Sequence, residues 1–193
     1  MPPKAKFTRE QIVNAALDII RESGTAELTA RALGKRLGSS ACPIFTVFEN
    51  MEEVMTCTIK AAKALYAKYV NEGLKSKPAF KSVGMQYLKF AICEPKLFQL
   101  LFMTEQPQKP TLSNVLPIID GNYPAILQSV EDSYLVNGQE AEKIYRHLWI
   151  YTHGIAALCA THTCTFTQAE MSNMLTEIMS ALLKEVKGGT GND

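Results

Sequence analysis

The chain is short of almost everything that marks a secreted, membrane-spanning or metal-bound protein. Its five cysteines (Cys42, Cys57, Cys93, Cys159 and Cys164) are odd in number, irregularly spaced and without a Cys-x-x-Cys pair. That pattern argues against a disulfide framework and predicts reduced thiols. No apolar run approaches the roughly 20 residues that span a bilayer. The N-terminal Met-Pro-Pro-Lys-Ala-Lys also lacks the apolar centre of a signal peptide, so a cytoplasmic location without membrane attachment is expected. There are only three histidines, no nucleophile elbow, no phosphate-cradling Gly-x-x-x-x-Gly-Lys loop and no His-Glu-x-x-His pair, and no enzyme activity is expected. His153, Cys159, His162 and Cys164 fall close together, but a zinc site calls for four ligands at defined spacing, so neither a metal nor a cofactor is expected. Strand-type alternation, internal repeats and low-complexity segments are also missing, and the chain reads as all-α.

Charge of either sign is scarce as a net quantity: +1 over 193 residues. Its distribution is more informative. Residues 1 to 47 carry seven basic groups (Lys4, Lys6, Arg9, Arg21, Arg31, Lys35 and Arg36) against four acidic ones, a surplus of three. The remainder carries 13 basic and 15 acidic groups, a deficit of two. A basic head on a slightly acidic body suits a protein that touches phosphates with one end.

Residues 28 to 54 read as two short helices joined by a tight turn. Thr29 can cap the first, with Leu28 and Leu33 as a hydrophobic staple. Gly38 supplies the left-handed residue that stops it, and Ser40 can cap a second helix carrying Ile44, Phe45 and Phe48. Asn50 followed by Glu53 restarts a helix. Upstream, Thr8 and Gln11 form a capping box for a helix ending before Gly24, with Ile12, Ala16, Ile19 and Ile20 at helical spacing. The unit is a helix-turn-helix.

This arrangement, over about the first 55 residues, resembles the DNA-binding domain of the TetR/AcrR family of bacterial transcriptional regulators. The resemblance implies a third, recognition helix lying in the major groove, its end marked by the aromatic pair Phe45 and Phe48. The chain departs from the family where Phe45 replaces a usual Tyr, where Thr46 and Val47 replace polar or basic residues, and where Met51 replaces a Lys. These departures remove phosphate donors. Phosphate contacts are expected from Thr29, Arg31, Lys35, Ser40 and Thr46, with Lys4 and Lys6 on a flexible arm. Base-edge contacts are expected from Ala41, Cys42, Pro43 and Ile44, with Phe45 at the same surface. So few hydrogen-bonding groups imply reading through thymine methyls and DNA shape.

Three regions are expected: a helix-turn-helix domain over residues 1–49, an effector-binding and dimerisation domain over 50–187, and a disordered tail over 188–193. A long helix from Asn50 to about Lys75 continues from the head as a lever. Tyr66, Tyr87, Phe98, Phe102, Met103, Tyr123 and Trp149 supply aromatic and flexible apolar surface of the kind that lines ligand sites. In the last two helices, Met171, Met174, Leu175, Ile178, Met179 and Leu182 form one stripe, and Ile150, Gly154, Ala157 and Leu158 a face with small residues. Trp149-x3-His153-Gly154 resembles a Trp-His-Gly motif of some family members. The resemblance implies that these two helices build a four-helix interface in a homodimer; closure of the chain's own core is the competing use of the same stripes.

The function expected from these features is that of a ligand-responsive transcriptional regulator, a repressor released from double-stranded operator DNA by a small hydrophobic effector. Two recognition helices of a dimer enter successive major grooves when about 34–36 Å apart, and an effector would act by changing that spacing through the lever. The rival is a dimeric helical ligand-binding or adaptor protein that has lost DNA binding.

Overall fold

Side-chain caps set where the first helices begin. In the computed structural model, which describes residues 5–105 and 109–188, α1 (Arg9–Ser23) opens on the Thr8 and Gln11 capping box and stops at Gly24, whose φ is +89°. Lys4 and all but the first residue of the expected tail lie outside the described residues. Thr29 Oγ1 accepts the Ala32 N–H at 3.1 Å and starts α2 (Ala30–Arg36). A 3-10 turn over Cys42–Thr46 follows, then α3 (Met51–Leu74). Next come α4 (Ala79–Cys93), α5 (Pro95–Phe102), α6 (Val115–Ile119), α7 (Tyr123–Tyr134), α8 (Gly138–Ala160) and α9 (Gln168–Gly188). Proline takes an early position in α5 and α7, where its missing N–H would have no helical partner. All regular structure among the described residues is helical.

The chain divides into two compact units. The first holds the described residues up to Tyr66 together with Glu94–Thr104, so α5 returns to the N-terminal helices. Here α1 packs on α2 and on α5. Ile12, Ala16 and Ile20 of α1 lie in a core with Leu33, Ile44, Phe48, Leu97 and Phe98, all buried. An ion pair between Arg21 and Glu94 at 2.6 Å ties α1 to the start of α5.

The second unit holds residues 67–93 and 105–188 of those described. In it α4 packs against α7, α8 and α9, its Val83, Tyr87, Leu88 and Ala91 buried together with Ile126, Val130, Ile144, Leu148, Ala156 and Leu175. Gly73 permits the closest approach: a Cβ there would stand 2.7 Å from the Val83 Cα, so the end of α3 lies directly on the α4 backbone. Buried hydroxyls donate to carbonyls of their own helices, Thr152 to Leu148 at 2.7 Å and Ser129 to Ile126 at 2.6 Å, and so need no outside partner.

Candidate functional site

The turn after α2 is made by backbone geometry. The Ser39 N–H donates to the Gly34 carbonyl at 2.9 Å and the Gly38 N–H to that of Lys35 at 3.0 Å, with Gly38 at φ +65°. This is the Schellman pattern, which calls for a left-handed residue at that position. Gly34 does a second job. A Cβ there would lie 2.8–2.9 Å from the Ser40 carbonyl group and the Ala41 nitrogen, so the chain leaving the turn rests on the α2 backbone. The sequence reading missed this, although a glycine inside a helical pattern is itself a sign of close backbone approach.

The segment after the turn differs from expectation. Cys42–Thr46 is a five-residue 3-10 helix whose N-cap is Ala41, without a side-chain cap; Ser40 does not cap it, and Phe48 lies beyond its end. Ile44 is fully buried and Phe48 nearly so. Ile44 therefore anchors the turn to the core and cannot reach a base edge, which corrects its assignment. Ser40, Cys42, Phe45 and Thr46 are exposed, and Ala41 and Pro43 half-buried. The Thr46 hydroxyl donates to the Pro43 carbonyl at 2.7 Å.

The basic residues separate by partner. Arg31 and Lys35, one turn apart on α2, are exposed and make no ion pair or hydrogen bond among the described residues. Arg36 is engaged by Glu22, which lowers the Glu22 pKa and raises that of Arg36, each mainly through the hydrogen bond between them. Lys6, expected on a free arm, donates to Ser39 Oγ at 2.9 Å and so sits against the turn. Thr29 keeps its capping role and remains exposed.

Arg9 was not singled out from the sequence, yet it clamps this region. Its guanidinium lies 4.2 Å from the Phe48 ring centroid and donates to the Val47 carbonyl at 3.0 Å and to Glu53 at 2.6 Å. Glu53 also accepts the Glu49 N–H at 2.7 Å, and that backbone bond, followed by Arg9, holds its carboxyl below the usual range. The Asn50 side chain caps α3 by accepting the Glu53 N–H at 2.9 Å. One arginine thus joins α1, the end of the turn and the start of α3.

The expected ligand-site residues fall into both units. Tyr66, Phe98, Phe102 and Met103 belong to the first, where Phe102 meets Tyr66 edge-on at 5.0 Å and Phe98 at 5.2 Å; Met103 is exposed. Tyr87, Tyr123 and Trp149 belong to the second. There Tyr123 stacks on Tyr145 at 5.7 Å and Trp149 on His153 at 5.2 Å, while the Tyr87 hydroxyl lies 2.9 Å from His153 Nδ1. The Trp149 side chain hydrogen-bonds Tyr87. Because an indole N–H can only donate, the Tyr87 hydroxyl accepts from Trp149 and keeps its own O–H and a second lone pair to meet His153 Nδ1. Burial lowers the His153 pKa. Burial, then the nearby Asp120 carboxylate, pushes the Tyr87 hydroxyl well above its ordinary range. Asp120 is itself buried, one oxygen accepting from the backbone and side-chain N–H groups of Asn122. His153, Tyr145 and Asp120 are the members of this polar and aromatic cluster that the ligand assignment omitted.

The proposed interface residues also divide. Met171, Leu175, Met179 and Leu182 are buried within the chain itself, so they serve its own core and offer no surface to a second copy. Met174 and Ile178 are half-buried. On α8, Ile150 (47% exposed) and Leu158 (40%) face solvent, Ala157 is half-buried, and a Cβ at the exposed Gly154 would meet nothing within 4 Å. Among the described residues, no group of three or more His, Cys, Asp or Glu is placed to hold a metal, and no helix is long and apolar enough to cross a membrane.

No family model matches the sequence, and no curated protein matches it. Among solved structures, the chain is similar to the fatty acid degradation regulator FadR from Bacillus halodurans, at 14% identity over 94% of this chain and 97% of that one, with a TM-score of 0.55. The likeness is one of fold alone and extends over nearly the whole of both chains, in keeping with the all-helical architecture of the described residues.

Proposed function

We propose that the chain is a ligand-responsive, DNA-binding transcriptional regulator of the TetR/AcrR type, a homodimeric repressor released from its operator by a small hydrophobic effector. The observation that carries this reading is the helix-turn-helix of the first unit: a glycine-built turn braced by Lys6 and Arg9, with Arg31 and Lys35 exposed on α2 and without an ion pair among the described residues. Basic groups without an acidic partner retain their whole charge for phosphate. Thr29, Ser40 and Thr46 add neutral hydroxyls, and Cys42 and Phe45 supply apolar surface for thymine methyls.

For the effector, the second unit's Tyr87, Tyr123, Trp149 and His153 cluster is the site we favour, since its aromatic rings carry hydrogen-bonding groups that can orient a ligand. The fold neighbour is a fatty acid degradation regulator, which makes fatty acyl compounds the first effectors to screen. An effector acts only as far as it favours one conformation over the other.

The test titrates the purified protein onto a fragment of its own promoter region and onto a scrambled duplex, at 50 and 200 mM salt. Tight binding to the promoter fragment alone is expected. Six phosphate contacts in a dimer would weaken it on the order of a thousandfold across that salt range. Weak and equal binding to both duplexes would select a second reading, a dimeric helical ligand-binding or adaptor protein without DNA binding. That reading draws on the shortness of the recognition turn, five residues of 3-10 helix whose Thr46 hydroxyl is already engaged by Pro43.

A further inference from the structure

The C-terminus of α8 brings the backbones of two cysteines close together. The helix closes with a Schellman pattern: the Thr163 N–H donates to the Leu158 carbonyl at 3.0 Å and the His162 N–H to that of Cys159 at 3.0 Å, with His162 left-handed at φ +55°. The Cys164 N–H reaches the same Leu158 carbonyl, at 3.2 Å. That oxygen belongs to the peptide leading into Cys159. Standard peptide dimensions therefore place the Cα atoms of Cys159 and Cys164 within about 7 Å of each other, at the edge of the 4.4–6.8 Å span typical of disulfides. Five residues of uninterrupted helix would hold them farther apart; the reversal at His162 turns the chain back.

The two thiols differ in a useful way. Cys164 is exposed, and Cys159 is buried on the inner side of the last helical turn. Burial, and then Cys164 itself, raises the Cys159 pKa. Solvent-borne oxidant therefore meets Cys164 first, while Cys159 is largely sheltered from solvent.

We propose that Cys164 and Cys159 form a reversible thiol–disulfide pair, with Cys164 as the peroxide-reactive sulfur and Cys159 as the resolving one. The Cys164 thiolate attacks one oxygen of a hydroperoxide. The O–O bond breaks, the other oxygen leaves as hydroxide and is protonated to water, and Cys164 becomes a sulfenic acid. Cys159 sulfur then attacks the Cys164 sulfur, the S–O bond breaks, and the hydroxyl departs as water with the Cys159 proton. Two thiols and hydrogen peroxide thus give one disulfide and two waters, the two electrons coming from the sulfurs. The bond closes a ring across the turn that joins α8 to α9, and a dithiol reductant reverses it.

The full-length reduced protein is treated with a small molar excess of hydrogen peroxide, unfolded, alkylated and digested with trypsin. The fragment 147–184 carries both cysteines and no internal Lys or Arg. The expected result is loss of two of the five alkylatable thiols, with that fragment unalkylated and about 2 Da lighter than its dithiol form, and both thiols restored by dithiothreitol. Cys159→Ser is expected to leave Cys164 as a sulfenic acid trapped by dimedone. Cys164→Ser, at an exposed position that keeps the fold, is expected to leave fragment 147–184 unoxidised. Three results would overturn the proposal: both cysteines still alkylated once Cys42, Cys57 or Cys93 has been consumed, Cys164 passing to sulfinic acid in the unmodified chain, or Cys164 linking two copies on a non-reducing gel.

Discussion

Gly34 and Gly38 shape the same turn for different reasons, and substitution separates them. At Gly38 the cost is conformational: φ is +65° with open space around the missing Cβ, so Gly38→Ala should destabilise by about 1–2 kcal/mol. At Gly34 the cost is steric. The backbone is helical, where alanine would otherwise gain about 1 kcal/mol, but the new methyl would meet the Ser40 and Ala41 backbone at 2.8–2.9 Å. Backbone cannot rotate away as a side-chain tip can, so Gly34→Ala should destabilise by about 1–3 kcal/mol and spread the turn. Urea unfolding of the two variants against the parent checks both. A Gly34→Ala protein more stable than the parent would mean that the turn does not rest on α2.

At the scale of elements, the helices were legible wherever a cap and an apolar stripe coincided, as with Thr8, Thr29 and Asn50. The recognition turn was not. Ile44 and Phe48, four apart, look like one face of an α-helix, but burying both needs only a single turn. With Pro43, Ile44, Thr46 and Val47 all poor helix formers, the fixed cost of nucleating a longer helix goes unrecovered. Arg9 escaped notice because its partners lie some 40 positions away in sequence. The α9 stripe was visible, but a stripe does not say whose core it fills; the burial of Met171, Leu175, Met179 and Leu182 answers that. Of the residues expected at an interface, Ile150, Gly154 and Leu158 on α8 are the ones that stay exposed. If the proposed homodimer forms through that face, Ile150→Asp should turn it into a monomer in sedimentation velocity, while unfolding free energy extrapolated to dilute monomer stays within about 0.5 kcal/mol of the parent, as for an exposed position. A dimer that survives this charge would move the interface elsewhere.

For the whole molecule, the surplus of three basic groups over residues 1–47, against a deficit of two in the rest, raises the question of whether DNA would respond to the net field or to particular side chains. Arg31 and Arg36 decide it, because alanine at either removes the same single charge from the same short helix. Arg31 is exposed and has no ion pair among the described residues, whereas Arg36 is already engaged by Glu22. If individual side chains matter, Arg31→Ala weakens binding evenly on promoter and scrambled DNA and lowers the salt slope by about 0.9 for each phosphate that is no longer neutralised, hence about 1.8 in a dimer. Arg36→Ala would then leave the slope unchanged, since no counterion is released at a guanidinium held by a carboxylate. If the field matters, the two variants behave alike, both binding more weakly than the parent at low salt by the same factor, a difference that shrinks as screening shortens the reach of charge to about 8 Å near physiological ionic strength. Equilibrium titrations of both variants at four salt concentrations distinguish the cases. Equal slopes for Arg31→Ala and the parent would remove Arg31 from the interface and leave Lys35 as the one phosphate-binding cation of α2.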